Sequence, residues 1–240
     1  TAMGTKLVKV IYAGPNSGFG RNPYFEESYG ALIIYDNKLF FRASDATNGI
    51  ELWRSDGTAA GTVLVKDITS GTASSTPFSL VTFKNELYFL ANQQLWKSNG
   101  TAQGTQLLKS TLLSDYRMTK GDSSLYLNAY ESSPASGPQH KSYELYRSDG
   151  TISGTVRLTD IDAGIRSSSP QLVSVHNGRV YFSAYRADVG RELWRMRPEC
   201  PLEYFFSNPG ETTASGAIHH FKVEHRIEAA NQLNTNRDLL

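Results

Sequence analysis

Aspartates recur beside glycines in this sequence, and carboxylate oxygens are suitable ligands for a metal ion. Asp56 and Asp149 each stand in a Ser-Asp-Gly-Thr stretch, and Asp67, Asp160 and Asp162 follow within a few residues. A calcium loop needs about 6 to 8 oxygen ligands, usually with several carboxylates in one short loop. Each stretch offers one carboxylate, and residues 98–101 carry Asn99 at that place. The pattern therefore favours a structural turn, and calcium is the one cofactor left open.

Three histidines near the carboxyl end are the other candidate metal ligands. His219 and His220 point to opposite faces if they lie on a strand. His219 and His225 would share a face, but they would lie roughly 20 Å apart at about 3.3 Å per residue. No two of the three could bind one ion on a straight strand, so the sequence predicts no metal site here.

Arginines and carboxylates are the residues with which a glycan-active hydrolase would work. Such an enzyme needs paired carboxyl groups that converge on the substrate. Nothing in the spacing of the arginines brings them together. We therefore expect no catalysis and keep a glycan-active hydrolase as the alternative. The arginines considered are Arg42, Arg54, Arg147, Arg186 and Arg195.

Aromatic residues crowd the stretches that are predicted to be loops. Phe19, Tyr24 and Phe25 lie in a long first loop, and Tyr130 and Tyr185 lie near loops further on. Aromatic side chains on a rigid scaffold can stack on sugars or anchor a protein partner. These five residues are the candidate ligand contacts, for a protein or a glycan, although aromatic residues that only cap the structure would give the same pattern.

A twelve-residue pattern explains most of the remaining composition. It reads "ELWRSDGTAAGT" at 51–62, "QLWKSNGTAQGT" at 94–105 and "ELYRSDGTISGT" at 144–155. "RELWRM" at 191–196 gives its first half, and "TAMGT" at 1–5 gives its second half. A period of about 40 to 50 residues indicates a solenoid or a propeller. The repeated motif residues are Trp53, Asp56, Gly57, Thr58, Trp96, Asn99, Gly100, Tyr146, Asp149, Gly150 and Trp194.

Each period contains runs typical of four short strands. In one period these are "TVLVKDI", "SLVTF", "ELYFLA" and the motif's own "QLW". Three polar pairs stand between apolar runs and predict hairpin turns: Asp36-Asn37, Lys84-Asn85 and Asn177-Gly178. Asn-Gly is the strongest of these signals because both residues tolerate positive φ. In the Ser-Asp-Gly-Thr stretch the acid accepts backbone N–H groups and glycine takes positive φ. We expect this turn to connect the outer strand of one repeat to the next repeat, and the tryptophans to be buried between repeats.

The overall composition limits the possible partners. The chain has 240 residues and a formal net charge of +1, so it has no electrostatic footprint for nucleic acid. No apolar run reaches the roughly 18 residues that cross a membrane. Cys200 is the single cysteine, which excludes an internal disulfide.

The repeats resemble the bacterial ELWxxDGT repeat family, on "ELWRSDGTAAGTVLVKDI" and "ELYRSDGTISGTVRLTDI". The resemblance covers about residues 1–196 and implies propeller-like blades in secreted or cell-surface proteins, with no catalytic motif to carry over. Residues 215–240 resemble the start of a segment found near the carboxyl ends of secreted Bacteroidetes proteins. Extracellular placement is therefore expected, as is a chain that belongs to something longer.

The predicted fold is all-β, a β-propeller with four blade-like repeats that could belong to a larger ring. The repeats span about 1–57, 58–100, 101–150 and 151–196, and 197–240 is a linker followed by the start of a carboxyl-terminal β segment. The predicted function is an extracellular binding, adhesion or structural module. Incomplete repeats at both ends also suggest a subunit of a surface filament, with neighbouring repeats or another chain as partners. Residues 5–11 are expected to pair in a sheet, because an unpaired edge strand recruits a partner.

Overall fold

The computed structural model describes residues 4–13, 18, 32–114, 118–131, 142–162 and 166–197. Fifteen strands lie in this part of the chain, and the prediction of an all-β chain is confirmed. The strands are β1 (Leu32–Tyr35), β2 (Lys38–Asp45), β3 (Gly49–Ser55), β4 (Val63–Lys66), β5 (Phe78–Phe83), β6 (Glu86–Ala91), β7 (Gln94–Ser98), β8 (Gln106–Leu113), β9 (Thr119–Lys120), β10 (Leu125–Glu131), β11 (Glu144–Ser148), β12 (Val156–Arg157), β13 (Gln171–His176), β14 (Arg179–Arg186) and β15 (Gly190–Met196).

Consecutive strands pair antiparallel and form four units, which we name repeat sheets 1 to 4. Repeat sheet 1 is β1–β4, sheet 2 is β5–β8, sheet 3 is β9–β12 and sheet 4 is β13–β15. Sheets 2 and 3 join where Tyr130 and Glu131 of β10 pair with Leu113 and Leu112 of β8. The described strands close no ring, so the propeller stays a prediction.

The turns between the first and second strands follow directly from the sequence. Asp36 and Asn37 have φ values of 48° and 56°, and Asn177 and Gly178 have 49° and 64°. Two successive residues at positive φ form the turn that matches the twist of a hairpin. The polar pairs predicted as turns therefore set the register of the strands on either side.

The core lies between neighbouring repeat sheets. On β3, Leu52 packs with residues of sheet 2, whereas Trp53 packs with Ile11 on the other side. In sheet 4 the aromatic residue Trp194 packs toward sheet 3. Because side chains alternate along a strand, the motif's leucine covers the following repeat and its aromatic residue covers the preceding one.

The burial of the three tryptophans differs between repeats. Trp53 and Trp194 are buried, with 5% and 3% of their surface exposed. Trp96 is half-buried, so the prediction of burial is wrong for this ring. Its indole nitrogen donates to the carbonyl oxygen of Ala91 at 3.2 Å, as that of Trp194 does to Ala184 at 3.0 Å.

The amino-terminal segment departs from the prediction. Residues 5–10 form no strand, and Leu7, Val8 and Val10 are exposed. The segment instead contacts repeat sheet 1 through Lys9 and Ile11. Within this chain the expected sheet pairing of residues 5–11 is not found, because no described strand lies alongside the segment.

Among the residues that the model describes, no helix is long and apolar enough to cross a membrane.

Candidate functional site

The topology divides the connections between two ends of the repeat sheets. In an antiparallel meander successive connections alternate ends. The first-to-second and third-to-fourth connections therefore share one end, which we call the turn face. The second-to-third connections and the crossings to the next sheet share the other end, which we call the loop face.

The Ser-Asp-Gly-Thr stretch lies on the turn face and forms the same hydrogen-bond network three times. Thr58 donates its backbone N–H and its hydroxyl to the Asp56 carboxylate at 2.9 and 2.7 Å. The Thr58 hydroxyl then accepts the N–H of Gly61 at 2.9 Å. The corresponding distances at Asn99 and Asp149 are within 0.1 Å of these. An amide therefore replaces the carboxylate without loss of any of these hydrogen bonds, which supports a structural role for the turn.

These turns join the third and fourth strands of one repeat sheet. Residues 56–62 connect β3 to β4, and the crossing to sheet 2 is made by residues 67–77. The expectation that the motif connects one repeat to the next is therefore wrong. The sequence could not separate the two cases because both connections end in strand-like residues.

Both glycines of the motif are fixed by the structure. Gly57, Gly100 and Gly150 have φ values of 89°, 85° and 93°, which favour glycine. Gly61 is different, because a Cβ built there would overlap the Asp56 carboxyl group. The second glycine is therefore needed for the close approach of the acid.

The glutamate that opens the motif was not predicted as a site residue. Glu51 is fully buried and accepts the N–H groups of Ile68, Thr69 and Ser75 and the Ser75 hydroxyl. Glu144 occupies the same place and accepts from Thr159, Ile161 and Ser168. Burial raises the pKa of both carboxyl groups, and these hydrogen bonds oppose that rise. Each glutamate ties the third strand to the crossing that leaves its sheet.

A lysine in the fourth strand links successive repeat sheets, and it was also missed. The Lys66 ammonium donates to the carbonyl oxygen of Thr105 at 2.8 Å, and that of Lys109 donates to Thr155 at 3.3 Å. Lys9 makes the equivalent bond to Thr62 at 2.6 Å. The signal was available, since each lysine stands four residues after the threonine of a Gly-Thr step.

The loop face carries the aromatic candidates that the structure describes. Tyr130, the last residue but one of β10, is buried and meets Tyr143 edge-on, with ring centroids 4.8 Å apart. Tyr185 lies at the same end of β14 and is 43% exposed. The other three candidates, Phe19, Tyr24 and Phe25, lie outside the described residues.

Charged groups accompany these rings on the loop face. Asp162, in the crossing that follows β12, is buried and lies 3.7 Å from the Arg166 guanidinium. Arg157 pairs with Asp160 at 2.5 Å, and Arg186 with Asp188. Burial lowers the pKa of Arg42, which is half-buried on β2. The five arginines considered from the sequence lie on five different strands: Arg42 on β2, Arg54 on β3, Arg147 on β11, Arg186 on β14 and Arg195 on β15.

No cluster of three or more histidine, cysteine, aspartate or glutamate side chains suited to a metal ion occurs among the described residues. Asp56 and Asp149 are held by their turns, and Asp67 accepts the N–H of Gly71 at 3.2 Å. His219, His220, His225 and Cys200 lie outside the described part of the chain.

The chain matches no known protein-family model and no curated protein. Its structure is similar to three solved enzymes at low identity. An alpha-L-arabinofuranosidase from Clostridium thermocellum matches with a TM-score of 0.33 at 13% identity, over 69% of this chain and 67% of that one. An endo-1,4-beta-xylanase from Bacteroides thetaiotaomicron gives 0.29 at 11% identity, over 71% and 72%. A GH43 endo-arabinanase from Bacillus licheniformis gives 0.30 at 17% identity, over 69% and 71%.

These similar structures contradict one prediction made from the sequence. All three are glycoside-cleaving enzymes by name, whereas the chain was expected to have no catalytic activity. That expectation is wrong and is not retained. The similarity assigns no catalytic residue in this chain.

Proposed function

We propose that the chain is a glycan-active hydrolase that binds a carbohydrate chain across its loop face. The observation that carries the proposal is the presence of aromatic rings and a buried carboxylate at this one end of the repeat sheets. Tyr185 offers an exposed ring, and Asp162 lies in the crossing that leads to the same repeat sheet. An aromatic ring presents an apolar surface to a sugar, and a carboxyl group can transfer a proton to a glycosidic oxygen.

Asp162 is the carboxylate that best fits the chemistry. Glu51 and Glu144 are more deeply buried, and their oxygens already accept hydrogen bonds from the crossings, so they are not available to a substrate. Asp160 is held by Arg157 at 2.5 Å. Asp162 has a longer ion pair with Arg166, so its oxygens are less fully engaged by protein groups and can accept a hydrogen bond from a substrate hydroxyl.

This proposal includes the wider setting expected from the sequence. The repeat sheets are taken as blades of a β-propeller of the ELWxxDGT type, in a bacterial protein that works outside the cell. Side-by-side packing of four meanders supports the propeller arrangement. A polysaccharide is the proposed partner.

The test measures binding and turnover separately on soluble polysaccharides that include arabinan and xylan. The wild type is expected to bind at least one of them and to release reducing ends. Tyr185→Ala should weaken binding about tenfold, and Asp162→Asn should lower turnover by about 100-fold while binding is kept. Ile152→Ala and Asp149→Asn, on the turn face, are the matched controls.

Each outcome has a defined meaning. Binding without any release of reducing ends overturns the hydrolase and leaves recognition alone. No binding to any glycan overturns both parts. Each assay is run with added calcium and with a chelator, so that a dependence on calcium is detected directly.

A further inference from the structure

Repeat sheet 4 exposes side chains whose counterparts are buried in the other sheets. Leu193 is 53% exposed, whereas the leucine at the same motif position is fully buried in sheets 1 to 3. Tyr181 is half-buried, and its counterparts are buried. Ser183 lies directly opposite Leu193 and two residues from Tyr181, so Tyr181 and Leu193 share one side of the sheet. We call this side the open face. The buried counterparts are Leu52, Leu95 and Leu145 for Leu193, and Phe40, Tyr88 and Tyr126 for Tyr181.

The amino-terminal segment lies where the fourth strand of a preceding repeat sheet would lie. Lys9 bonds to the carbonyl oxygen of Thr62 just as Lys66, in the fourth strand of sheet 1, bonds to that of Thr105. Ile11, two residues after Lys9, packs on repeat sheet 1 as Ile68, two residues after Lys66, packs on sheet 2. Residues 4–11 therefore occupy the place of a fourth strand in front of sheet 1, without a described sheet beside them.

The glycine of the first turn gives an independent indication. A Cβ built at Gly100 would lie 2.9 Å from the Phe40 ring, and one built at Gly150 would contact the Tyr88 hydroxyl. In repeat sheets 1 and 2 the aromatic residue thus rests on the turn glycine of the following sheet. Around Gly57 there is open space within 4 Å. Among the described residues, neither Tyr126 of sheet 3 nor Tyr181 of sheet 4 meets such a glycine, and of these two rings Tyr126 is buried whereas Tyr181 is half-buried.

We propose that the open face of one copy of this chain packs against repeat sheet 1 of a second copy. Strand β15 pairs there with residues 5–9 of the second copy, and the Tyr181 ring rests on its Gly57. The complete sheets fix the register through Leu52 opposite Lys66, Trp53 opposite Leu64 and Arg54 opposite Val63. The corresponding pairs between copies are Leu193 opposite Lys9, Trp194 opposite Leu7 and Arg195 opposite Lys6.

A second copy fits better than an unrelated partner because the contact continues the interface that already joins the repeat sheets. Every copy carries both surfaces, and within one copy they do not touch, since Leu193 is exposed and Gly57 has no close neighbour. The two surfaces differ, so the contact is head-to-tail and either closes a ring of copies or extends as a filament. It also covers two edges beside which no described strand lies.

The test uses chains with one engineered cysteine each, in a Cys200→Ser background. A Lys6→Cys chain is mixed with an Arg195→Cys chain and oxidised, and disulfide-linked heterodimers are measured on non-reducing gels. The control replaces Arg195→Cys by Arg191→Cys, which moves the thiol four residues or about 13 Å along β15. We expect cross-linking to be at least tenfold greater for the Arg195 chain. Circular dichroism checks that each chain keeps the wild-type fold.

A second measurement addresses the open face directly. Leu193→Glu should reduce the cross-linking at least tenfold and should shift the full chain to monomer in sedimentation, whereas Ile152→Glu, on the turn face, should leave both unchanged. Equal cross-linking for the two β15 positions, or none with either, overturns the proposal. A Lys6→Cys/Arg195→Cys double variant that links only within one chain overturns it too, because it shows that a single copy closes on itself.

Discussion

At the residue scale, the Ser-Asp-Gly-Thr turn is a hydrogen-bond unit in which each residue has one task. The acid or amide accepts from threonine, the first glycine supplies positive φ, and the second glycine leaves room for the acid. Residue 99 is Asn and makes the same bonds as Asp56. Geometry rather than charge therefore maintains the turn.

The second glycine provides a direct test of this account. Gly61→Ala should lower the free energy of unfolding by about 1–3 kcal/mol, because the new methyl group overlaps the Asp56 carboxyl group. In the Asp56→Ala/Gly61→Ala double variant the overlap is removed, so its loss should be smaller than the sum of the two single losses. Urea unfolding of the four proteins measures the coupling, and strict additivity would contradict the proposed overlap.

Asp149 should make stability depend on pH in the acid range. Hydrogen bonds from the Thr151 hydroxyl and N–H hold the pKa of Asp149 below its ordinary value of 3.8. The folded state therefore favours the charged form, and this contribution is present above pH 3.8 and lost as the pH falls through the lowered pKa. Asp149→Asn should remove this part of the loss of stability at acid pH. At neutral pH it should change the free energy of unfolding little, because an amide makes the same hydrogen bonds at Asn99. Thermal unfolding between pH 2 and 7 measures it, with wild type as the reference.

At the element scale, a buried carboxylate ties the third strand of repeat sheets 1 and 3 to the crossing that follows. Glu51 and Glu144 sit on third strands and accept several bonds from the crossing that follows. In the second repeat Gln94 takes the place of the glutamate, and its amide donates to the carbonyl oxygen of Ser110 at 2.9 Å. The residue at this position therefore matches its partners in hydrogen-bonding character: the glutamates accept from N–H donors of the crossing, and Gln94 donates to a carbonyl oxygen of β8.

This matching predicts an asymmetric mutational effect. Glu144→Gln should cost about 1–3 kcal/mol, because the amide NH₂ would face an N–H donor at either oxygen position, that of Ile161 or that of Ser168. Glu192→Gln, at the exposed counterpart, should change stability by less than about 0.5 kcal/mol. Chemical denaturation compares the pair, and equal losses would show that the carboxylate bonds contribute nothing specific.

The pKa of Glu144 adds a second readout for the same variant. Burial raises this pKa above the ordinary 4.5. Between pH 4.5 and the raised pKa, the folded protein therefore keeps the Glu144 carboxyl group protonated, whereas the unfolded chain ionises it. Its contribution is full below pH 4.5 and is lost as the pH rises through the raised value. The stability difference between wild type and Glu144→Gln should therefore narrow as the pH rises from 4 to 7. A difference that widened would show that the hydrogen bonds outweigh burial.

At the scale of the whole molecule, stability comes from the interfaces between repeat sheets. Leu145 is fully buried against sheet 4, and Leu193 holds the same motif position with an exposed side chain. Leu145→Ala should lower the free energy of unfolding by about 2–5 kcal/mol, and Leu193→Ala by less than about 0.5 kcal/mol when measured on the monomer. Dilute samples keep any association between copies out of the comparison. A large loss for Leu193→Ala in the monomer would contradict the exposed position.

The strands and turns could be predicted from the amino-acid sequence. Alternating apolar residues and pairs such as Lys84-Asn85 act within a few residues, and the hairpin that they predict is present, with β5 and β6 on either side of a turn at positive φ. The repeat also indicated the four meanders. Such features are local, because the period of a strand and the φ of a turn depend only on neighbouring residues.

The contacts of the repeated residues could not be predicted in this way, because they depend on how distant segments pack. The role of Glu51 depends on donors 17 to 24 residues away, and the lysine links depend on the following sheet. The turn was assigned to the wrong connection, and residues 5–11 were given a sheet partner that no described strand supplies. Strand-like sequence shows that a segment can pair, whereas its actual partner is chosen by packing between segments that are distant in the chain.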